Sequence, residues 1–196
     1  MRRMVVGSLV AIVLMTAVLG LAYPVVMTAV ASVTFPHQAA GSLIRRNGRV
    51  VGSSLAAQAF GGPGVFHERP SATTPAYDAA ATTFSNLGPT NPALAKLVAR
   101  NARAVLRLER PYDPGLTIHE IPVDAVVPSA SGIDPEISLA YAHLQERRVA
   151  AVRHLPLAAV SKLVSEQTDG RWLGLFGEPG VNVLELNLAL ERLGGR

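Results

Sequence analysis

No charged residue occurs between Met4 and Thr34, and this absence constrains the chain more than any other feature. The densest apolar run is Val5 to Val30, with Leu9–Leu14 and Val18–Leu21 at its heart. About 20 helical residues at ~1.5 Å each cross a bilayer core, so the run predicts a transmembrane helix over residues 5–30. Pro24 falls in its second half beside Tyr23. A proline frees a backbone carbonyl and an aromatic hydroxyl favours the interface, so a kink or helix end is expected there. Arg2, Arg3 and the amino terminus precede the run, and no Lys or Arg follows it until Arg45. By the positive-inside rule, residues 1–4 are expected in the cytoplasm and residues 35–196 outside it. Ala29-Val30-Ala31 fits a signal-peptide cleavage site. The apolar run is much longer than the ~7–15 residues of a signal core, which favours a retained anchor. The small-residue pairs Gly7/Ala11 and Thr16/Gly20 lie on opposite helix faces, where two neighbouring helices could approach closely.

The remaining 162 of 196 residues are enough for one domain with its own core. With no cysteine, disulfides and thiol chemistry are excluded. Sixteen basic and 14 acidic residues follow the membrane run, a net of +2. Aromatics make up 5% of the chain. Without a basic stripe or stacking residues, nucleic acid is not an expected partner.

Asn47-Gly48 between Leu43-Ile44 and Val50-Val51 predicts a hairpin, since both turn residues tolerate positive φ. Residues 61–91 are rich in Gly, Pro, Ser, Thr and Asn and read as a long ordered loop. Asn91 and Pro92 open a helix whose apolar stripe runs from Leu94 to Leu108, and Pro111 stops it. Thr117–Val127 reads as two short strand-like pieces around Pro122, and Ser129–Pro135 as a polar loop. A second helix is expected from Ser138 to His154, and a third from Pro156, ending by Gly170. A buried strand over Val181–Leu184 leads into a last helix through Leu193. The order implies a small α/β or α+β domain.

Signatures of hydrolases, P-loops, dinucleotide folds and zinc proteases are missing. His67-Glu68 and His119-Glu120 resemble fragments of metal sites, but adjacent residues rarely point the same way on regular elements. Ser53 and Ser54 have no base nearby in sequence. Two polar loops are denser than simple connections require: Ser85-Asn86-Leu87-Gly88-Pro89-Thr90-Asn91-Pro92 and Ser131-Gly132-Ile133-Asp134-Pro135. Their side chains suit local backbone hydrogen bonds, and the structural role is favoured over a ligand cradle.

In order along nearly the whole chain stand Val51-Gly52-Ser53 with Gln58 and Phe60, Phe66, Arg69-Pro70-Ser71-Ala72, and Tyr77-Asp78-Ala79. The Ser85–Pro92 loop, Val123–Val126, Ser131–Pro135 with Ile137-Ser138, and Arg148-Val149-Ala150 follow. The series closes with Gly170-Arg171, Gly177-Glu178-Pro179, and Val181 through Asn187, including Asn182. This ordered set, behind one N-terminal helix, resembles the C subunit of the Kdp potassium-transporting ATPase. In two places the chain departs from that family's pattern. Thr82-Thr83-Phe84 stands where the family usually has a serine–glycine pair before the Ser85 loop, and Glu68 where it tends to have glycine.

The resemblance implies a non-catalytic subunit of a potassium importer, with no cofactor of its own. Its partners would be a channel-like potassium-binding subunit, a P-type subunit that hydrolyses ATP, a small membrane subunit, and the lipid bilayer. The family's C subunit is described as a catalytic chaperone that raises the ATPase subunit's affinity for ATP. Asp124, Asp134 and Glu178 are candidates for drawing potassium toward the channel mouth. A membrane-anchored hydrolase and a ligand-binding module using the Asn-rich loop are the alternatives from other classes.

Overall fold

The computed structural model describes residues 1–194 and divides into two compact units, Met1–Val51 and a second from Gly52 onward. In the first unit, α1 (Arg2–Met15), a π-helical stretch (Thr16–Ala22) and α2 (Tyr23–Thr34) follow without a break. Together they make one 33-residue helix of mean hydropathy 2.5. It is the one helix among the described residues long and apolar enough to cross a membrane. It exceeds the predicted span at both ends because the charges of Arg2 and Arg3 and the polar residues after Val30 do not oppose helix formation.

Pro24 does not end this helix. The preceding turns widen instead, and the N–H of Tyr23 donates to Val18 O, five residues back. A π-type stretch relieves the clash between the proline ring and the turn before it, a common cause of helix irregularity. The short α3 (Pro36–Ala39) and the hairpin β1 (Leu43–Arg46) and β2 (Arg49–Ser53) follow. Asn47 and Gly48 take positive φ of 51° and 77°, as the hairpin turn requires.

The second unit has four helices and a small antiparallel sheet. In α4 (Pro92–Glu109) the Asn91 side chain accepts from Ala93 N at 2.9 Å. In α5 (Leu139–Arg153) Ser138 plays the same part for Tyr141 N at 3.1 Å. α6 (Leu157–Glu166) starts after Pro156, and α7 (Val183–Leu193) ends the described fold. The sheet order is β3 (Glu136–Ser138), β5 (Gly180–Asn182), β4 (Thr168–Asp169), with Ile137 and Thr168 both opposite Val181. The antiparallel pairing makes this the α+β form of the expected fold.

Two local expectations fail. Thr117–Val127 forms two 3-10 turns, Ile118–Glu120 and Val123–Ala125, rather than strands. The Glu120 carboxylate accepts from both Thr117 N and Oγ1 at 2.7 Å, which closes a turn where the apolar residues suggested extension. The strand expected over Val181–Leu184 stops at Asn182, whose side chain accepts from Glu185 N at 3.2 Å and so begins α7 at Val183.

The core joins Phe66, Ile137, Val149, Val160, Val164, Val181, Leu186 and Leu190. Residues 61–91 contain no helix or strand, and side chains from the helices supply the partners that a ladder would otherwise give. Asn187 accepts from Phe66 N (2.8 Å) and donates to Phe66 O (2.9 Å). Gln145 does the same for His67 at 2.7 and 3.0 Å. Arg148 has no solvent exposure. Its Nε donates to Glu109 Oε1 at 2.8 Å, its Nη1 to the carbonyls of Pro63 and of Val65 (the latter 2.8 Å), and its Nη2 to Gln145 Oε1 at 2.8 Å.

Removing one partner of a buried ion pair strands the other, at a cost of about 3–5 kcal/mol. Arg148→Ala should lose stability on that scale in urea denaturation of the detergent-solubilised chain. Arg148→Lys should recover only part, because a lysine cannot reach four acceptors in a planar fork. Full stability in the lysine variant would contradict this role.

Candidate functional site

The Ser129–Pro135 loop is folded by its own side chains. Ser129 Oγ accepts from Gly132 N (2.9 Å), Ser131 Oγ from Ile133 N (3.2 Å), and Asp134 Oδ1 from Glu136 N (3.2 Å). Gly132 sits at φ +73°, and a Cβ there would lie 2.8 Å from Thr73 Cγ2 and 2.9 Å from Thr83 O. A glycine is therefore required both by the backbone and by the close approach of the 71–83 segment. That segment is tied to the loop by Ser71 Oγ donating to Gly132 O (2.6 Å) and Thr83 N to Ser131 O (3.2 Å). Thr83 thus takes part through its backbone N–H, which every residue but proline supplies.

Folding this loop onto the sheet forms a cleft of about 380 Å³. Asp124, Asp134, Glu136, Glu178 and Arg69 bring charge to its walls, and Pro179 and Gly180 close one side. The three candidates for drawing potassium, Asp124, Asp134 and Glu178, all line this cleft, and each is engaged within the protein. Asp124 accepts from Ser138 N (2.7 Å) and Oγ (2.9 Å), which fixes the start of α5. Asp134 pairs with Arg69 Nη1 at 2.8 Å, and Glu178 accepts twice from Arg171 Nη2 at 2.9 and 3.0 Å. Burial, with Asp134 and Asp169 nearby, raises the Glu136 carboxyl above its ordinary range.

A second cavity, of about 210 Å³, lies under Pro70 and is lined by His67, Glu68, Tyr77, Asn101 and Tyr141 among others. Glu68 is 5% exposed, and neither carboxyl oxygen has a hydrogen-bond partner. Burial pushes its pKa from 4.5 to about 9, against an opposing pull from the Gln58 backbone and with a smaller further push from Asp134. At neutral pH this carboxyl is protonated, so Glu68 adds no charge to the cavity.

The family-motif residues thus divide by role. Arg69, Asp134, Glu178 and Pro179 share the charged cleft, and Pro70 lines the second cavity. Gln58 packs beside Gly52, where any Cβ would overlap its amide and come 2.8 Å from Leu184. Pro135 O accepts from Val183 N (3.1 Å), Asn182 Nδ2 donates to Ser54 O (2.8 Å), and Asn187 clamps Phe66, so these three are scaffold. Ser85, Asn86 and Gly88 are exposed and line neither cavity, and Asn86 takes φ +50°. Pro89 borders an apolar groove along α4, while Asn91 caps that helix. Gly177 turns the chain at φ +83°. Glu109, Gln145 and the role of Arg148 had no signal in sequence, since each reads as an ordinary polar residue on a helix. No group of three or more His, Cys, Asp or Glu among the described residues is arranged to hold a metal ion.

The described residues thus form one apolar helix long enough to cross a membrane and a small α+β unit built on side-chain clamps, with a charged cleft against its sheet. The family model described as KdpC, K+-transporting ATPase, c chain, matches residues 5–192. A potassium-transporting ATPase KdpC subunit from Acidobacterium capsulatum is 52% identical over 175 residues, covering 89% of this chain and 90% of its own. The corresponding proteins of Sorangium cellulosum (51% identity; 94% of this chain, 95% of theirs) and Polaromonas naphthalenivorans (50%; 98% and 96%) match as closely in extent. The chain belongs to the KdpC family, the c chain of K+-transporting ATPases.

An unfolded Glu68 releases its proton near 4.5, whereas the folded one keeps it to about 9. The contribution of this group to stability is intact below the lower value and is lost as pH rises toward the upper one. Glu68→Gln removes that loss. It should stabilise the protein by on the order of 2–3 kcal/mol at pH 7–8 and by much less at pH 5. Melting curves at the two pH values check this, and a larger gain at pH 5 would contradict it.

Proposed function

We propose that this chain is the accessory, non-catalytic subunit of an ATP-driven potassium importer, needed to assemble the complex and to set how its ATPase subunit uses ATP. The observation that carries the reading is the family match over residues 5–192, which spans both the apolar helix and the second unit. The helix crosses the membrane once, with the amino terminus in the cytoplasm and the domain outside. Arg2 and Arg3 before the helix and the lack of Lys or Arg after it until Arg45 support that orientation.

Its partners are a channel-like subunit that carries the ion and a P-type subunit that hydrolyses ATP. On the outer face the domain cannot touch cytoplasmic nucleotide. Its effect on ATP affinity therefore passes through its helix or through partner subunits, by unequal binding to two states of the complex. The engagement of Asp124, Asp134 and Glu178 in internal bonds favours a structural and docking role over chemistry at the cleft.

Two outcomes are expected when the complex is purified in mild detergent. Replacing residues 5–30 with an unrelated membrane helix should reduce the yield of assembled complex. Omitting the chain should raise the ATP concentration for half-maximal hydrolysis by about 5- to 150-fold, the range of ordinary allosteric coupling. Unchanged yield would make the helix a mere tether, and unchanged ATP dependence would remove the nucleotide role.

A further inference from the structure

Between β4 and β5 the chain makes a hairpin tip, Trp172-Leu173-Gly174-Leu175-Phe176, that no role described above uses. Trp172 N donates to Phe176 O (2.8 Å) and Phe176 N to Trp172 O (3.0 Å). Leu173 and Gly174 sit at φ +52° and +73°, and Leu175 N returns to Trp172 O at 3.1 Å, closing a tight turn. The Trp172 and Phe176 rings lie 5.8 Å apart. Below them Arg171 and Glu178 form a two-pronged ion pair across the stem. The tip is thus braced at three levels, yet Trp172, Leu173, Leu175 and Phe176 are 69, 71, 77 and 60% exposed.

Four large apolar side chains presented together amount to on the order of 500 Å² of exposed apolar surface, which is the size at which a patch on a protein surface marks a binding site. A leucine at positive φ is unfavourable by itself, and here it turns two leucines and two aromatic rings outward on one rigid tip. Such pre-organisation suits insertion into a shaped socket, because little freedom is left to lose on binding. Aromatic anchors of this kind carry most of the energy of protein interfaces.

The surrounding charge selects the occupant. From Lys162 to Gly180 there are three carboxylates, Glu166, Asp169 and Glu178, against two cations. Lys162 and Arg171 are spent on Glu166 and Glu178, which leaves Asp169 uncompensated beside the tip and no cation free to meet an anionic surface. Across the sheet Glu136 lies close to Gly180 and feels both Asp134 and Asp169. Loops that enter lipid surround their apolar residues with Lys and Arg to meet anionic headgroups. An acidic collar is repelled by such a surface and is attracted by a basic protein rim.

We propose that the Trp172–Phe176 tip plugs into an apolar socket with a basic rim on another polypeptide subunit of the same potassium-transporting ATPase. The proposal rests on the reading of the chain as a subunit of that complex and names the part of its surface that docks.

The test uses the full chain co-expressed with the other subunits and purified in mild detergent. A benzophenone amino acid placed at position 173 should, on irradiation, join the chain to one polypeptide subunit. Trp172→Ala with Phe176→Ala should speed loss of the chain from the complex by roughly 30-fold, the effect of truncating a hot spot. Cross-linking to lipid alone, or no cross-link while the unsubstituted chain remains in the complex, overturns the plug and leaves the subunit reading standing. Undiminished retention of the double variant also overturns the plug. If the unsubstituted chain never co-purifies, the subunit reading itself falls.

Discussion

A guanidinium shut away from water has five N–H donors to place, and Arg148 makes four hydrogen bonds, to a carboxylate on α4, an amide on its own helix and two carbonyls of the long loop. Those bonds join α4, α5 and the start of residues 61–91 at one point. Gln145, Asn187 and Arg153, whose Nε donates to Gly64 O at 2.6 Å, extend the attachment along the loop. Buried ionic groups are costly to desolvate, so the benefit here lies less in net stability than in fixing one path for a segment with no ladder of its own. Once Phe66 and His67 are placed, Arg69 is positioned for Asp134, and the charged cleft takes its shape.

Much of the frame was legible in the sequence because its signals are local. Asn47-Gly48, Asn91-Pro92 and Ser138 act within a few residues of where they stand, and each appears in its expected role. Asn182 with Glu185 is also a local helix-start signal, but it lies inside an apolar run that reads as a strand through Leu184. The 3-10 turns around Pro122 were hidden in the same way, since Thr117 and Glu120 outweigh the apolar pattern between them. The clamps were not legible at all. Gln145 and Arg148 meet partners about 80 residues away in sequence, and on a helix that is buried over most of its circumference no polar stripe sets them apart.

The candidate site was legible only in part. Arg69, Asp134 and Glu178 were marked by family resemblance, and the structure brings them to one cleft. The resemblance could not tell that Arg69 and Asp134 pair with each other and that Glu178 is spent on Arg171. Nor could it tell that the Glu68 carboxyl would be buried and hold its proton. The Ser85–Asn91 loop, which looked equally dense in turn formers, stays exposed outside both cavities. Density of turn residues reports a well-specified backbone and says little about what the loop touches.

The uncharged helix remains the feature on which the functional account turns, because the side on which it places the domain decides whether any effect on ATP is direct. The absence of cysteine from the chain allows this to be measured with a single introduced thiol. Asn86→Cys puts that thiol on an exposed loop of the second unit. In right-side-out membrane vesicles, a membrane-impermeant maleimide should label it fully without permeabilisation. Labelling only after the vesicles are opened would place the domain beside the nucleotide and contradict the account.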